Sequence, residues 1–331
     1  MINYKQLNTK DTSVSRYQLK KCNDIMKIKM NKIAIVGCGD VGSTTAFSLL
    51  MSNVVSELVL FDINKEKVMG EKLDMEHALP FLNNVKISAT DKIEDLKGVD
   101  IIIYAAGFAQ KPGESRLDLT SKNLKIVDEL IPQINMVVPN AIILMITNPV
   151  DVLTQRVFQL IPGAAGRVFG SGTTLDTARF KYHIAEKINV DPKSIHAYIL
   201  GEHGESAFPV YENSLVGGQK LLDFPGVTQE IVDQAFKDTR QAAAKIIVCK
   251  GSTYYGIAVA ATEIVKAIVG NTQTILPVSI PMLDYYGFSG VSLSLPCVIG
   301  KNGVERVIMP ELSSRETEDL RRSVGALKKY I

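Results

Sequence analysis

Short stretches that are apolar at nearly every position alternate, along the first half of the chain, with longer stretches of helical periodicity. Residues 31–36 form a β-type run, and 40–53 have helical character with small residues near their start. A second apolar run at 58–61 ends in Asp62; residues 65–79 read as helix, 85–88 as extended chain and 100–106 as a strongly apolar strand. Helical periodicity returns over 116–138, followed by a buried strand at 141–147 that ends in Asn148-Pro149. Strands apolar on both faces must be covered on both faces, so this alternation predicts a parallel sheet with helices on each side. Beyond about residue 165 the rhythm changes: helix at 173–187, strand at 195–200, and two long helices at 228–250 and 254–269. Strands follow at 274–280 and 291–299, then an Asn302-Gly303 turn of the kind that closes a hairpin, and a charged helix over 310–331. No internal repeat or low-complexity linker separates the halves, which predicts two closely packed domains.

Composition narrows the function classes without adding a partner. The 331 residues are 46% hydrophobic and 22% charged, ordinary values for a globular chain long enough for two core-bearing units. A net charge of +2 and only short basic clusters such as Lys20-Lys21 predict neither nucleic-acid nor membrane-surface binding. No apolar run approaches the ~18 residues that a membrane span needs. Cys22, Cys38, Cys249 and Cys297 are scattered, with no Cys-x-x-Cys or His/Cys ligand spacing, so reduced thiols, a cytoplasmic location and no metal site are expected. Residues 1–30 are polar and lysine-rich, lack the apolar core of a secretory signal, and contain Asp11 and Asp24, unlike an organellar transit peptide. They read as a disordered or loosely packed N-terminal arm, or as sequence ahead of a true start at Met26 or Met30.

The first strand leads straight into Gly37-Cys-Gly-Asp-Val-Gly42. A G-x-G-x-x-G pattern is weak alone; here a strand precedes it, a helix follows, and Asp62 stands twenty residues past the last glycine. Gly37 permits the tight turn, Gly39 lets backbone approach a pyrophosphate, and Gly42 allows close helix–strand packing. With Val41 these form the expected cofactor-binding set, and the helix start offers free N–H groups to the phosphates. Asp62 would accept hydrogen bonds from an adenosine ribose diol and repel a 2′-phosphate, which selects NAD over NADP. The alternative, purely structural glycines and an acid that caps a strand, is weaker because each element has its own physical role at the expected spacing. The expected fold class is therefore α/β: a Rossmann-type doubly wound parallel sheet over 31–170, then a mixed α+β substrate domain over 171–331.

A second constellation surrounds a histidine in Ile199-Leu-Gly-Glu-His-Gly-Glu205. Reducing a ketone beside a carboxylate requires a cation for the carboxylate, a donor that polarises the carbonyl, and a group titrating near neutrality to move the proton. Arg179, on the helix predicted over 173–187, suits the carboxylate clamp with its bidentate fork. Asp176, one turn earlier on the same face, can hold one ring nitrogen of His203 and fix its tautomer; a solvated Asp/Arg pair is the plain alternative. His203 sits between Gly201 and Gly204 at the C-terminal end of a strand, where ligands of open parallel sheets bind. His77 and His183 fall on helical stretches as ordinary residues. Arg116 follows Gly107-Phe-Ala-Gln-Lys-Pro-Gly113, a loop bounded by glycines and stiffened by Pro112. Such a loop suits a lid that excludes water, against the plain reading of a βα connection.

With Thr147-Asn-Pro-Val-Asp151, Thr174-Leu-Asp-Thr-Ala-Arg179, Gly201-Glu-His-Gly204 and Gly251-Ser-Thr-Tyr-Tyr-Gly256, the glycine turn and the lid resemble the motifs of the lactate/malate dehydrogenase superfamily, in its bacterial lactate-specific branch. The resemblance covers residues 31–331. It implies that His203 donates and accepts the proton, Asp176 partners it, Arg116 polarises the carbonyl and Arg179 anchors the carboxylate. Only the resemblance implies that Asn148 contacts the nicotinamide end and the substrate, and that Thr253 lines the substrate pocket. Members acting on oxaloacetate typically carry arginine where this chain has Gln110. A neutral amide leaves a second carboxylate unpaired, at roughly 3–5 kcal/mol, so pyruvate, reduced reversibly to L-lactate with NADH, is the expected substrate. Ala109 leaves room for a larger 2-keto acid, and malate dehydrogenation is the remaining alternative within the family.

Many bacterial members are activated by fructose 1,6-bisphosphate through an arginine and a histidine at a subunit interface. His196 matches the histidine, but Lys181 stands at the arginine position and lacks the bidentate fork, so activation stays open. The resemblance further implies a homotetramer. An NAD-dependent glycosidase would need a metal held by cysteine and histidine, and no cysteine neighbours His203. A non-catalytic NAD-binding protein would have no reason to keep both arginines, Asp176 and His203.

Overall fold

Five of the expected apolar runs become neighbouring strands in the computed structural model, joined by a short sixth that the sequence reading did not contain; the structure describes residues 31–109 and 116–331, with only the backbone at Arg116. The N-terminal arm expected over 1–30 and the specificity position Gln110 lie outside the described residues. Strands β1 (Lys32–Val36), β2 (Glu57–Phe61), β3 (Lys86–Thr90), β4 (Ile101–Tyr104), β5 (Ile142–Met145) and β6 (Val168–Gly170) are parallel, in the order β3-β2-β1-β4-β5-β6. This is the order of a doubly wound sheet, as expected. Its strands read as unbroken apolar runs because each face has its own core: Ile33 and Ile35 enter one and Ala34 and Val36 the other, and Leu58/Leu60 against Val59/Phe61 repeat the division.

Helices α1 (Asp40–Ser52), α2 (Lys65–Ala78) and α3 (Arg116–Val137) lie close to their expected bounds. Helix α4 (Val150–Leu160) is a difference from the sequence reading, which ended at Asn148-Pro149. The segment does carry helical periodicity, with Asp151, Thr154, Gln155 and Gln159 on one side; what the sequence does not show is that most of this polar side, Asp151, Thr154 and Gln155, is buried.

In the second half, helix α5 (Thr174–Ile188) precedes a small antiparallel sheet of β7 (Ile195–Leu200), β8 (Phe208–Val216) and β9 (Gln219–Lys220). The strand leading to His203 therefore belongs to this separate sheet and not to the parallel one. A bridge between Gly201 and Ser294 brings its end to the main sheet. Helices α6 (Gln229–Lys250) and α7 (Tyr255–Val269) follow, and Thr262 on α7 donates to Ser48 on α1 at 2.8 Å.

Strands β10 (Thr274–Tyr285), β11 (Phe288–Gly300) and β12 (Gly303–Val307) then extend the main sheet to nine strands, antiparallel to one another and to β6. Gly170 makes the junction possible, since a Cβ there would press on Val150, Thr154 and Ser279. The β10–β11 hairpin runs further than expected, past register shifts near Pro281 and Leu283, and turns at Tyr286 and Gly287 with φ of 53° and 75°. The expected Asn302-Gly303 turn closes β11 onto β12, with Gly303 at φ 91°. Helix α8 (Ser314–Leu327) starts after Pro310 at a capping box in which Ser313 and Glu316 exchange hydrogen bonds. Residues Asn31–Ile331 form one compact unit, and a single core joins Ile33 and Leu58 to Val278, Leu293 and Leu320. Among the described residues no helix is long and apolar enough to cross a membrane, and no group of three or more His, Cys, Asp or Glu residues is placed to hold a metal ion.

Candidate active site

The glycine turn follows directly from β1. Gly37 has φ 95° and donates its N–H to Phe61 at 2.8 Å. A Cβ on Gly37 would collide with the backbone of Ala106, and one on Gly42 with the Gly37 carbonyl. Gly39 differs: nothing lies within 4 Å of where its Cβ would point. Gly39 also caps α1 without a side-chain hydrogen bond, so the leading N–H groups of that helix are not taken by a cap. The acid in that turn, Asp40, accepts from Ser252 at 2.7 Å, and Val41 packs half-buried against the core.

Asp62, at the end of β2, has a role the sequence did not reveal. Its Oδ2 accepts the Cys38 N–H at 2.7 Å and its Oδ1 the Asn64 N–H at 2.9 Å, so the carboxylate braces the turn it faces. Each oxygen keeps a lone pair for a ribose hydroxyl. An open Gly39, uncapped N–H groups and a braced acid fit a dinucleotide. Cys38 itself is buried, and burial, then Asp62, pushes its thiol up to about 12; it is an inert packing group.

The base of the loop after β4 is pinned by Asn123 of α3, also unforeseen. This side chain is 1% exposed; its Oδ1 accepts from the Phe108 N–H at 2.8 Å, and its Nδ2 donates to the Asn148 carbonyl at 2.7 Å. Gly107 admits that contact, because a Cβ there would strike Thr147 and crowd Asn123. Arg116 begins α3 at the far end of the same loop.

His203, Asp176, Arg179 and Asn148 all line one cavity of about 760 Å³. Asp176 joins the set: its Oδ2 lies 2.6 Å from His203 Nδ1 and its Oδ1 accepts from Arg179 at 3.2 Å. The Asp/Arg pair is thus no solvated surface pair, with side chains 13% and 14% exposed. Burial opposes ionisation of Asp176, yet His203 and then Arg179 hold its carboxyl below the ordinary value. Burial likewise opposes a charged His203, but Asp176, by charge and hydrogen bond, and then Asp151 raise it above the usual histidine value despite Arg179. With Nδ1 committed to Asp176, Nε2 remains for proton exchange. Thr253 stands in the connection between α6 and α7 and is not part of this cavity's wall. The wall is completed by a face of α6 that includes Phe236, Arg240, Ala243 and Ala244.

Both parts of this arrangement coincide with known family signatures. A model of the lactate/malate dehydrogenase NAD binding domain matches residues 31–170, and one of the lactate/malate dehydrogenase alpha/beta C-terminal domain matches residues 173–331. The chain belongs to the lactate/malate dehydrogenase family. The L-lactate dehydrogenase of Thermoanaerobacterium saccharolyticum is 41% identical over 307 residues, covering 91% of this chain and 98% of that protein. That of Lacticaseibacillus casei is 40% identical over 304 residues, 91% of this chain and 93% of its own length. Among solved structures, the minor L-lactate dehydrogenase from Enterococcus mundtii in a ligand-bound form superposes with a TM-score of 0.87 at 36% identity, over 91% of this chain and 97% of that one. In this family member, the parallel sheet of the first half, the glycine turn and the His203–Asp176 pair were legible before the structure. Asn123 and the α6 wall were not, because an asparagine or an alanine on a helix carries no motif of its own; Asp151 ends the Thr147–Asp151 motif, but nothing in that motif announced its bond to the His203 N–H.

Proposed function

We infer that the chain is an NAD-dependent dehydrogenase of L-lactate that interconverts pyruvate and L-lactate. The observation that carries this is Asp176 joining His203 and Arg179 on the wall of one cavity. Residues 31–170 are read as the NAD-binding part, through Gly37, Gly39, Val41, Gly42 and Asp62, and 171–331 as the substrate part. Bound NADH supplies a hydride to C2 of the keto acid. Arg179 holds the substrate carboxylate in a bidentate pair, Arg116 polarises the carbonyl, and Asn148 orients substrate beside the nicotinamide. Protonated His203 gives its Nε2 proton to the carbonyl oxygen, and Asp176 stabilises the imidazolium until that transfer. In the reverse direction neutral His203 takes the proton back. The lid expected over 107–113, of which only 107–109 lie within the described residues, would exclude water on closing and so strengthen each charge interaction.

Gln110 favours pyruvate over oxaloacetate by offering no countercharge. A second reading, a larger 2-keto acid, draws support from the cavity volume and from the alanine surface of Ala207, Ala243 and Ala244. Thr253 is assigned to the pocket by family resemblance. Lys181 and His196 form the proposed site for fructose 1,6-bisphosphate; His196 is exposed, and burial lowers the Lys181 ammonium below its ordinary value. Free Cys38, Cys249 and Cys297 support a cytoplasmic setting, where thiols stay reduced.

One experiment addresses substrate and effector together: NADH absorbance followed with pyruvate, oxaloacetate and branched 2-keto acids, each with and without the bisphosphate. Pyruvate is expected to give the highest kcat/KM. A preference for oxaloacetate overturns the Gln110 argument, and saturation curves unmoved by the bisphosphate at both pH 6 and 7 remove the effector site.

A further inference from the structure

The proposed proton transfer uses Asp176 but leaves a second carboxyl beside the same histidine without a task. Asp151, in the first turn of α4, is 2% exposed, and its Oδ2 accepts the His203 backbone N–H at 2.6 Å. Its Oδ1 stands near the Ser279 hydroxyl, which favours the carboxylate, but no hydrogen bond of normal length joins the two, and Thr154 Oγ1 beside Gly170 is likewise unpaired. Buried polar atoms left unpaired cost on the order of 1–3 kcal/mol each, so three in one region mark a place where packing was not optimised for stability alone.

The two oxygens of Asp151 therefore differ. Oδ2 is fixed by the backbone that carries the His203 ring, while Oδ1 can lose or take a proton without disturbing that bond. Burial pushes the carboxyl up to about 7; the Ser279 hydroxyl and His203 pull it back, and Glu202 pushes it further. The charged groups bearing most on His203 are Asp176 and Arg179 from α5 and Asp151 from α4; Glu202 and Glu205 on its own loop and Asp233, Lys237 and Arg240 of α6 line the same cavity.

We infer that Asp151 is a positioning residue for the proton transfer: its hydrogen bond anchors the backbone that carries the ring, and its charge joins that of Asp176 in holding the imidazolium. It lines the same cavity as His203, but its hydrogen bond goes to the backbone beneath the ring, and its proposed action is through His203. Above neutrality the carboxylate is present and keeps His203 charged for keto-acid reduction. Below neutrality the neutral acid loosens that hold, so the two groups titrate as a coupled pair. The inference rests on His203 as the proton carrier.

The test compares the pH dependence of kcat/KM for pyruvate, at saturating NADH, in the wild type and in Asp151→Asn. The substitution keeps an acceptor for the His203 N–H and removes the charge. Reduction needs protonated His203, so the rate falls as pH rises through its titration. Removing a neighbouring anion moves that fall to lower pH, by about one unit, with NADH affinity unchanged. A profile that keeps the wild-type position overturns the inference even if kcat drops, because a purely structural role lowers the rate without moving the limb.

A second reading needs no variant to fold. In wild-type protein labelled with carbon-13 at aspartate carboxyls, one aspartate is expected to titrate around neutral pH; if every aspartate titrates in the ordinary range near 4, the inference fails. Pyruvate reduction that survives His203→Asn overturns the underlying assignment instead. That failure is distinguishable, because the neutral-range aspartate would still be seen.

Discussion

At Asp176 one carboxylate serves two partners, the His203 ring through Oδ2 and the Arg179 guanidinium through Oδ1. Replacing it by asparagine removes the charge that stabilises the imidazolium and frees Arg179 from its neighbour. Such general acid–base support contributes roughly 10²–10⁴-fold, so Asp176→Asn is expected to lower kcat for pyruvate by about that factor with NADH binding intact; stopped-flow and fluorescence titration measure the two separately. A kcat within a few-fold of wild type would remove Asp176 from the mechanism. The pair also bears on stability. Asp176 is held below its ordinary value of 3.8, so its contribution is present above that value and is lost as acid protonates the folded-state carboxyl. His203 is raised above 6.5, so its contribution is full below 6.5 and is lost as pH rises through the folded-state value. The pair therefore stabilises most between those two ordinary values.

Among the elements, the turn between β1 and α1 is the most constrained. Gly37 and Gly42 are fixed by the chain's own backbone, whereas Gly39 faces open space. Two glycine substitutions should accordingly differ. Gly42→Ala must displace the Gly37 carbonyl and is expected to weaken NADH binding by about tenfold or more, on the order of 1.4 kcal/mol. Gly39→Ala leaves the turn intact and acts only by crowding a ligand. Isothermal titration with NADH, alongside thermal unfolding, separates the cases: Gly42→Ala should lower both affinity and the unfolding midpoint, Gly39→Ala affinity alone. Equal effects on the midpoint would contradict the packing argument. This element was legible in the sequence because a G-x-G-x-x-G turn is a local backbone requirement. Helix α4 was left out of the sequence reading although its polar residues recur at helical spacing; only the fold shows that Asp151, Thr154 and Gln155 are buried and not solvent-facing.

Across the whole molecule, apolar side chains remain uncovered on two helices that touch each other. Phe47 and Met51 on α1 are 42% and 54% exposed, and Tyr255 and Val259 on α7 are 66% and 55% exposed. A shared face of this kind is a natural subunit contact, which supports the homotetramer proposed from family resemblance. Sedimentation equilibrium is expected to give the mass of four chains, and Met51→Lys to shift the population towards smaller species. A monomeric mass across the micromolar range would sink the proposal.

The sequence by itself determined whatever is enforced over a few residues. Strand periodicity, the glycine turn with its acid, helix bounds such as α5 and α7, and the chemical identities of His203, Asp176 and Arg179 all follow from local backbone and side-chain rules. Tertiary structure alone decided which distant groups meet. Asn123 reaches the Asn148 carbonyl across 25 residues, and Asp151 reaches the His203 N–H across 52. It also decided that the strand before His203 joins a separate antiparallel sheet, while β10 to β12 extend the parallel one through Gly170. The reason is physical: periodicity records which face of an element is buried, whereas partners, sheet edges and unpaired polar atoms depend on the simultaneous packing of the whole core.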